Sequence, residues 1–146
     1  MEINLYDCYS TIYPYLQEDT FGERLRKVRK RKFMLQHELS EKIGYKYMYI
    51  CNIENGQVYP SANIIKKLYK IFGQDVLVDS YSKFICSDFA NSIRSWRKEK
   101  GFTQIQAGKY LGIGSITVSN LEREQSMKKF VFDKIEDKLK EELGLP

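Results

Sequence analysis

The chain has 146 residues, 42% hydrophobic and 29% charged, with a formal net charge of +5. That length holds one ordinary domain or two small ones, and no apolar run reaches the ~18 residues that a spanning helix needs. Cys8, Cys51 and Cys86 are odd in number and lack ligand spacing, which argues against a disulfide framework and against zinc.

Residues 1–20 are acidic and tyrosine-rich (Tyr6, Tyr9, Tyr13, Tyr15), and Pro14 interrupts any long helix. Two readings stay open for them, an arm packed on the first domain or a self-association arm. Glu2 stands where a secretory leader would be basic, so a reduced, cytoplasmic protein is expected. Phe21, Leu25 and Val28 fall at i, i+4, i+7 and predict a helix over Phe21–Lys32. A second helix is expected over Gln36–Ile43, where Gly44 supplies the left-handed turn into a third over residues 47–54. Asn55-Gly56 stops that helix, and Pro60-Ser61 opens a fourth carrying Ile64, Leu68 and Ile71. Asp75 is expected to cap a short fifth helix through Ser80. Residues 81–88 read as an interdomain linker reaching at most ~28 Å. Helices then recur at 89–100, 104–111, 115–122 and from about 128. The fold class is all-α.

These helices are two copies of one cassette at an offset of 68 residues. The pairs Arg26/Arg94, Arg29/Arg97, Gln36/Gln104, Gly44/Gly112, Asn52/Asn120 and Glu54/Glu122 repeat, as do the apolar pairs Leu25/Ile93, Ile50/Val118 and Ile53/Leu121. In the fourth helix the offset becomes 67, aligning Ile64, Leu68 and Phe72 with Val131, Ile135 and Leu139. A repeat that keeps polar as well as apolar residues marks duplication, not generic amphipathicity. It gives an arm over 1–20, a first domain over 21–80, the linker over 81–88 and a second domain over 89–146. Residues 21–73 hold 12 Lys/Arg against 4 Asp/Glu, whereas residues 88–146 hold 11 against 9. The basic excess, an electrostatic footprint for a polyanion, thus falls mainly on the first copy.

A short helix, a turn opening on glycine and a second short helix form the helix-turn-helix arrangement. With Arg29, Gln36-x-x-Leu39-Ser40, Gly44 and Ile50-Cys51-x-Ile53-Glu54-x-Gly56 followed by Pro60, the first copy resembles the Cro and lambda-repressor (XRE-type) family. Arg97, Thr103-Gln104-x-x-Ala107-Gly108, Gly112 and Val118-Ser119-x-Leu121-Glu122 carry the same resemblance in the second. The resemblance implies that the third helix of each copy reads the major groove. Its implied DNA contacts are Gln36, Lys46, Tyr47, Met48, Asn52 and Asn55, then Gln104, Ser115, Ile116, Thr117, Asn120 and Arg123. The glutamines open the second helix, whose free N–H groups suit a phosphate, and they brace the reading helix. Arg29 with Glu54, and Arg97 with Glu122, are the implied structural ion pairs. Asn52 and Asn120 suit adenine, and Met48 and Ile116 suit a thymine methyl group.

Two positions depart from the family pattern. Leu35 has no oxygen with which to cap the second helix, unlike Thr103. Arg123-Glu124 replaces Asn55-Gly56, so the second copy loses a glycine and gains a carboxylate near the phosphate path. His37 has no catalytic partner in the sequence, Cys51 reads as a tolerated small residue, and Trp96 reads as core. No catalytic, cofactor or metal site is expected. The function expected is sequence-specific double-stranded DNA binding by a prokaryotic- or phage-type transcriptional repressor. The alternative is a protein-interaction module, antitoxin- or inhibitor-like. The arm or the second domain would then offer the surface for a homodimer or another protein partner.

Overall fold

A computed structural model describes residues 4–145, so the first three residues of the arm and Pro146 lie outside the description. The described residues are all-helical, with ten α-helices and one 3₁₀ turn. They form two compact units, Met1–Asp79 and Ser80–Pro146.

The first unit contains α1 (Leu5–Ile12), α2 (Phe21–Arg31), α3 (Gln36–Ile43), α4 (Tyr47–Glu54) and α5 (Ala62–Phe72), then a 3₁₀ turn over Gly73–Val76. Thr20 starts α2 by accepting a hydrogen bond from the Glu23 N–H at 3.2 Å, while the Glu23 carboxylate accepts the Thr20 N–H at 2.8 Å. At α3 only the second half of that exchange exists. Glu38 accepts the Leu35 N–H at 2.6 Å, and Leu35 returns nothing. Leu25, Leu39, Ile50, Ile53, Ile64, Ile65 and Leu68 are buried together as the core. Ile71, expected in the α5 stripe, is only half-buried, and Phe72 takes the inward position instead. The short fifth helix expected from Asp75 through Ser80 is absent. Asp75 lies within the 3₁₀ turn, and the next helix begins at Ser80 in the other unit.

No residue of α1 is buried, yet polar bonds fasten the arm to α2. Arg31 donates to the Tyr13 carbonyl at 2.8 Å and lies 3.5 Å from the centre of the Tyr15 ring. Arg24 donates to the Leu16 carbonyl at 2.7 Å. Arg24 and Lys27 both donate to the Asp19 carboxylate. Burial pulls the Asp19 pKa upward, but hydrogen bonds from Lys27, the Leu16 N–H and Arg24 outweigh it and hold the group below its ordinary value. Asp19 of the arm therefore neutralises basic residues of its own unit. Counted by unit, residues 1–79 carry 12 Lys/Arg against 10 Asp/Glu, and residues 80–146 carry 12 against 9. The charge asymmetry between bare repeats does not survive at the level of the folded units.

The second unit contains α6 (Ser80–Ile85), α7 (Phe89–Glu99), α8 (Gln104–Leu111), α9 (Ser115–Glu122) and α10 (Lys129–Leu143). Residues 81–88 are not the extended linker expected. Most of them form α6, with Tyr81, Ser82, Phe84 and Ile85 buried. The Tyr81 hydroxyl donates to the Met127 carbonyl at 2.8 Å, and Phe84 packs on Phe89 and Phe132. The three apolar side chains have a core to enter, and that burial outweighs the weak propensity of so short a segment. In α10 the buried residues are Phe132, Ile135 and Leu139, while Val131 is half-buried. The 68-residue register thus runs on to Ile64/Phe132 and slips to 67 inside the helix, not before it.

Backbone geometry repeats with the sequence. Gly44 and Gly112 hold the left-handed conformation at φ 73° and 81°, turning α3 into α4 and α8 into α9. At two other repeated positions one copy has glycine and the other does not. Phe33 at φ 55° corresponds to Gly101 at 67°, and Glu124 at φ 64° corresponds to Gly56 at 73°.

Candidate nucleic-acid interface

α4 and α9 are each held by a carboxylate at the last helical residue. In the first unit Arg29 donates through Nε to Glu54 Oε1 at 2.6 Å and through Nη2 to Oε2 at 2.8 Å. Its Nη1 donates to the Met34 carbonyl at 2.8 Å, and Gln36 Nε2 donates to Glu54 Oε2 at 2.7 Å. Arg29 and Glu54 are each 3% exposed, so this planar, two-toothed pair is desolvated and polar-satisfied. The second unit repeats it. Arg97 donates to Glu122 at 2.5 and 3.2 Å and to the Phe102 carbonyl at 2.9 Å, and Gln104 Nε2 donates to Glu122 Oε2 at 3.0 Å. Burial raises the Glu122 pKa, but the bonds from Arg97 and Gln104 prevail and keep it below its ordinary value.

The brace leaves the opposite face of α4 and α9 outward. Met48 is 62% exposed and Ile116, at the same register, 75%. Tyr47, Lys46 and Asn55 are exposed, as is Arg123, while Asn52, Asn120, Ser115 and Thr117 are half-buried. Cys51 Sγ donates to Gln36 Oε1 at 3.4 Å. Cys51 lies close enough to hold the Tyr47 phenol above its ordinary pKa. Beside α9 runs a groove lined by Thr117, Asn120, Gln125 and Lys128 among others. The glutamines are turned inward. Because Gln36 and Gln104 spend their amides on the two carboxylates, bracing is the role their geometry carries. The free backbone N–H groups of the α3 and α8 first turns are what remain for an anion.

Sequence reasoning overlooked Arg26 and Arg94. Arg26 Nη2 donates to Asn55 Oδ1 at 2.8 Å, and Arg94 Nη2 donates to the Glu122 carbonyl at 2.5 Å. Their recurrence at the common offset was the available signal.

Two family models match the chain. One, described as a helix-turn-helix domain, covers residues 22–79, and another, described as helix-turn-helix, covers residues 93–144. The chain is a tandem helix-turn-helix protein of the XRE type. Comparison with curated proteins and with solved structures gave no match. In each helix-turn-helix unit, α3–α4 or α8–α9 is the motif itself, and the braced helix is its second element. Membership brings DNA binding and transcription regulation as the class of function, and families of this type are typically non-enzymatic. Among the described residues no helix is long and apolar enough to cross a membrane.

Proposed function

We propose that the protein is a sequence-specific transcriptional repressor that lays α4 and α9 into the major groove of double-stranded DNA. The observation that carries this reading is the repeated brace. Both units commit an arginine, a buried glutamate and a glutamine to holding one short helix whose outer face exposes Met48 or Ile116. Tyr47, Met48 and Asn52 are the proposed base readers of the first unit, and Ser115, Ile116, Thr117 and Asn120 those of the second. Lys46 and the first turns of α3 and α8, opened by Gln36 and Gln104, approach phosphates. Asparagine offers adenine a two-bond match, and exposed Met48 and Ile116 suit a thymine methyl group, so A/T-containing sites are favoured. Unequal readers call for an asymmetric site, and the covalent link holds the second unit at high effective concentration once the first has bound.

A second reading, a protein-interaction module, draws on Ile105 and Ile116, which expose apolar side chains on the second unit. Titrating the protein against a selected and a random duplex in rising salt separates the two. A repressor binds the selected duplex preferentially, with affinity falling steeply as salt rises. Absence of duplex binding at any salt would reject it.

A further inference from the structure

The residue following each braced helix differs between the units in a way that Arg26 explains. Asn55 is exposed at the end of α4, and its Oδ1 accepts a hydrogen bond from Arg26 Nη2 at 2.8 Å. An asparagine amide has one acceptor oxygen and two N–H donors, while a guanidinium only donates. Contact with Arg26 therefore fixes which way the amide points. With the oxygen turned to Arg26, the Nδ2 donors are what Asn55 offers to a ligand that only accepts. The neighbouring acceptors are already taken. Arg29 and Gln36 bond the Glu54 carboxylate, and Arg26 Nη2 lies 3.5 Å from the Glu54 carbonyl. This corner of the molecule presents donors and one excess positive charge, from two arginines against one glutamate.

The second unit reaches the same result differently. Position 123 is an arginine, whose guanidinium is a donor in any orientation. Arg94, at the register of Arg26, turns to the Glu122 carbonyl instead. Arg123 also offsets the adjacent Glu124 carboxylate.

We propose that Arg26 is a positioning residue that fixes Asn55 as a hydrogen-bond donor to a DNA phosphate oxygen, and that Arg123 supplies the matching donor in the second unit. The proposal rests on the DNA-binding reading above. The ligand is phosphate and not a base edge because the proposed readers lie within α4, whereas Asn55 follows its last residue.

The test uses the full chain on a selected duplex, a random duplex, and selected duplexes carrying single neutral methylphosphonates. Asn55→Ala and Arg26→Ala should each weaken binding about 3- to 10-fold on both natural duplexes alike, the pattern of a phosphate contact. The double variant should be no weaker than the weaker single, because one residue acts through the other. One methylphosphonate position should weaken the wild type and leave both single variants unchanged. Arg26→Lys, which keeps a donor, should recover part of the loss and serves as the reading variant if Arg26→Ala melts early. Arg123→Gln should lower the salt slope by about 1. Unchanged affinity in Arg26→Ala, losses that multiply in the double variant, or a loss confined to the selected duplex would each overturn the proposal while leaving DNA binding intact. A wild-type chain that binds neither natural duplex overturns the underlying reading, and this inference with it.

Discussion

Arg29 and Arg97 do the same job in different surroundings, and the difference sets a ranking. The Arg29 side chain is 4% exposed over a fully buried Glu54, while that of Arg97 is 17% exposed over Glu122. Removing one partner of a buried pair strands the other charge and costs about 3–5 kcal/mol, less where water reaches it. Arg29→Met should therefore destabilise the first unit by about 3 kcal/mol or more, and Arg97→Met should cost the second unit clearly less. Chemical denaturation followed by circular dichroism checks the order, and equal losses would mean that burial does not govern the pair. Asn52 tests reading, not stability. Its amide has no hydrogen-bond partner among the described residues, so Asn52→Ala should leave the melting temperature nearly unchanged. It should cost about 1–3 kcal/mol of binding on the selected site only. Equal loss on random DNA would reassign Asn52 to the backbone.

Helix ends carry the element-scale predictions. Leu35 leaves α3 with half of a capping exchange, whereas Thr103 gives α8 both halves, with its Oγ1 accepting the Gln106 N–H at 3.2 Å. Leu35→Thr should stabilise the first unit by about 1 kcal/mol, measured as a shift of its urea midpoint. No change would show that Glu38 alone satisfies the end. At the far end of the second unit, Glu142 fastens α10 to α7 and α8. It accepts from Tyr110 at 2.5 Å and Trp96 at 2.9 Å, and pairs with Lys100 at 3.0 Å. These partners, Tyr110 foremost, lower its pKa from 4.5 to about 2. A carboxylate depressed on folding binds fewer protons in the native state, so its contribution is complete above its unfolded pKa. The contribution is lost as pH falls through that value toward about 2. Glu142→Gln should flatten the acid limb of the stability curve in that window, and Trp96, the single tryptophan, reports it by fluorescence. An acid limb identical to wild type would remove Glu142 from the account.

Much of this element structure was legible because it rests on local rules. The helices at Gln36–Ile43 and Gln104–Leu111 each end on a left-handed glycine that the sequence displays, and Thr103 caps the second of them. α6 was not legible. Tyr81, Phe84 and Ile85 are apolar at helical spacing, but six residues make too short a window, and the burial that stabilises them comes from Phe89 and from Phe132, 48 positions beyond Phe84. The turn after α9 was legible only as a departure, a lost glycine and a carboxylate near the phosphate path. Glu124 adopts the φ of Gly56, and Gln125 N–H bonds the Asn120 carbonyl at 2.9 Å, as Gln57 does with Asn52. Glutamate pays about 1 kcal/mol for that conformation while the turn survives. At the site, the ion pairs and outward helix faces could be read from repeated residue types. The hold of Arg26 on Asn55 could not, because it depends on which rotamer a long side chain selects.

At the scale of the whole molecule, duplication combines two units near the lower size limit for an independent core. The arm alters what that combination does electrostatically. Bare repeats of unequal charge would make the first copy dominate non-specific affinity, but the arm's acids lie on the first unit, and Asp19 is locked between Arg24 and Lys27. The net charges of residues 1–79 and 80–146 are therefore +2 and +3. Phosphate attraction supplies most non-specific affinity and sets its salt slope. Fragments cut at the observed boundary, 1–79 and 80–146, should then bind random DNA with affinities within about tenfold of each other and with similar salt slopes. The second fragment must begin at Ser80, since one starting at Phe89 lacks Tyr81, Phe84 and Ile85 from its core. The intact chain should bind a two-part selected site about 10²- to 10⁴-fold more tightly than either fragment, because its second contact is intramolecular. A side-by-side titration of the three chains on one duplex decides the matter. If the intact chain gains nothing over the better fragment, only one unit touches DNA, and the duplication serves another partner. If instead residues 1–79 bind random DNA far more tightly than residues 80–146, local placement of the basic side chains governs affinity, not unit charge.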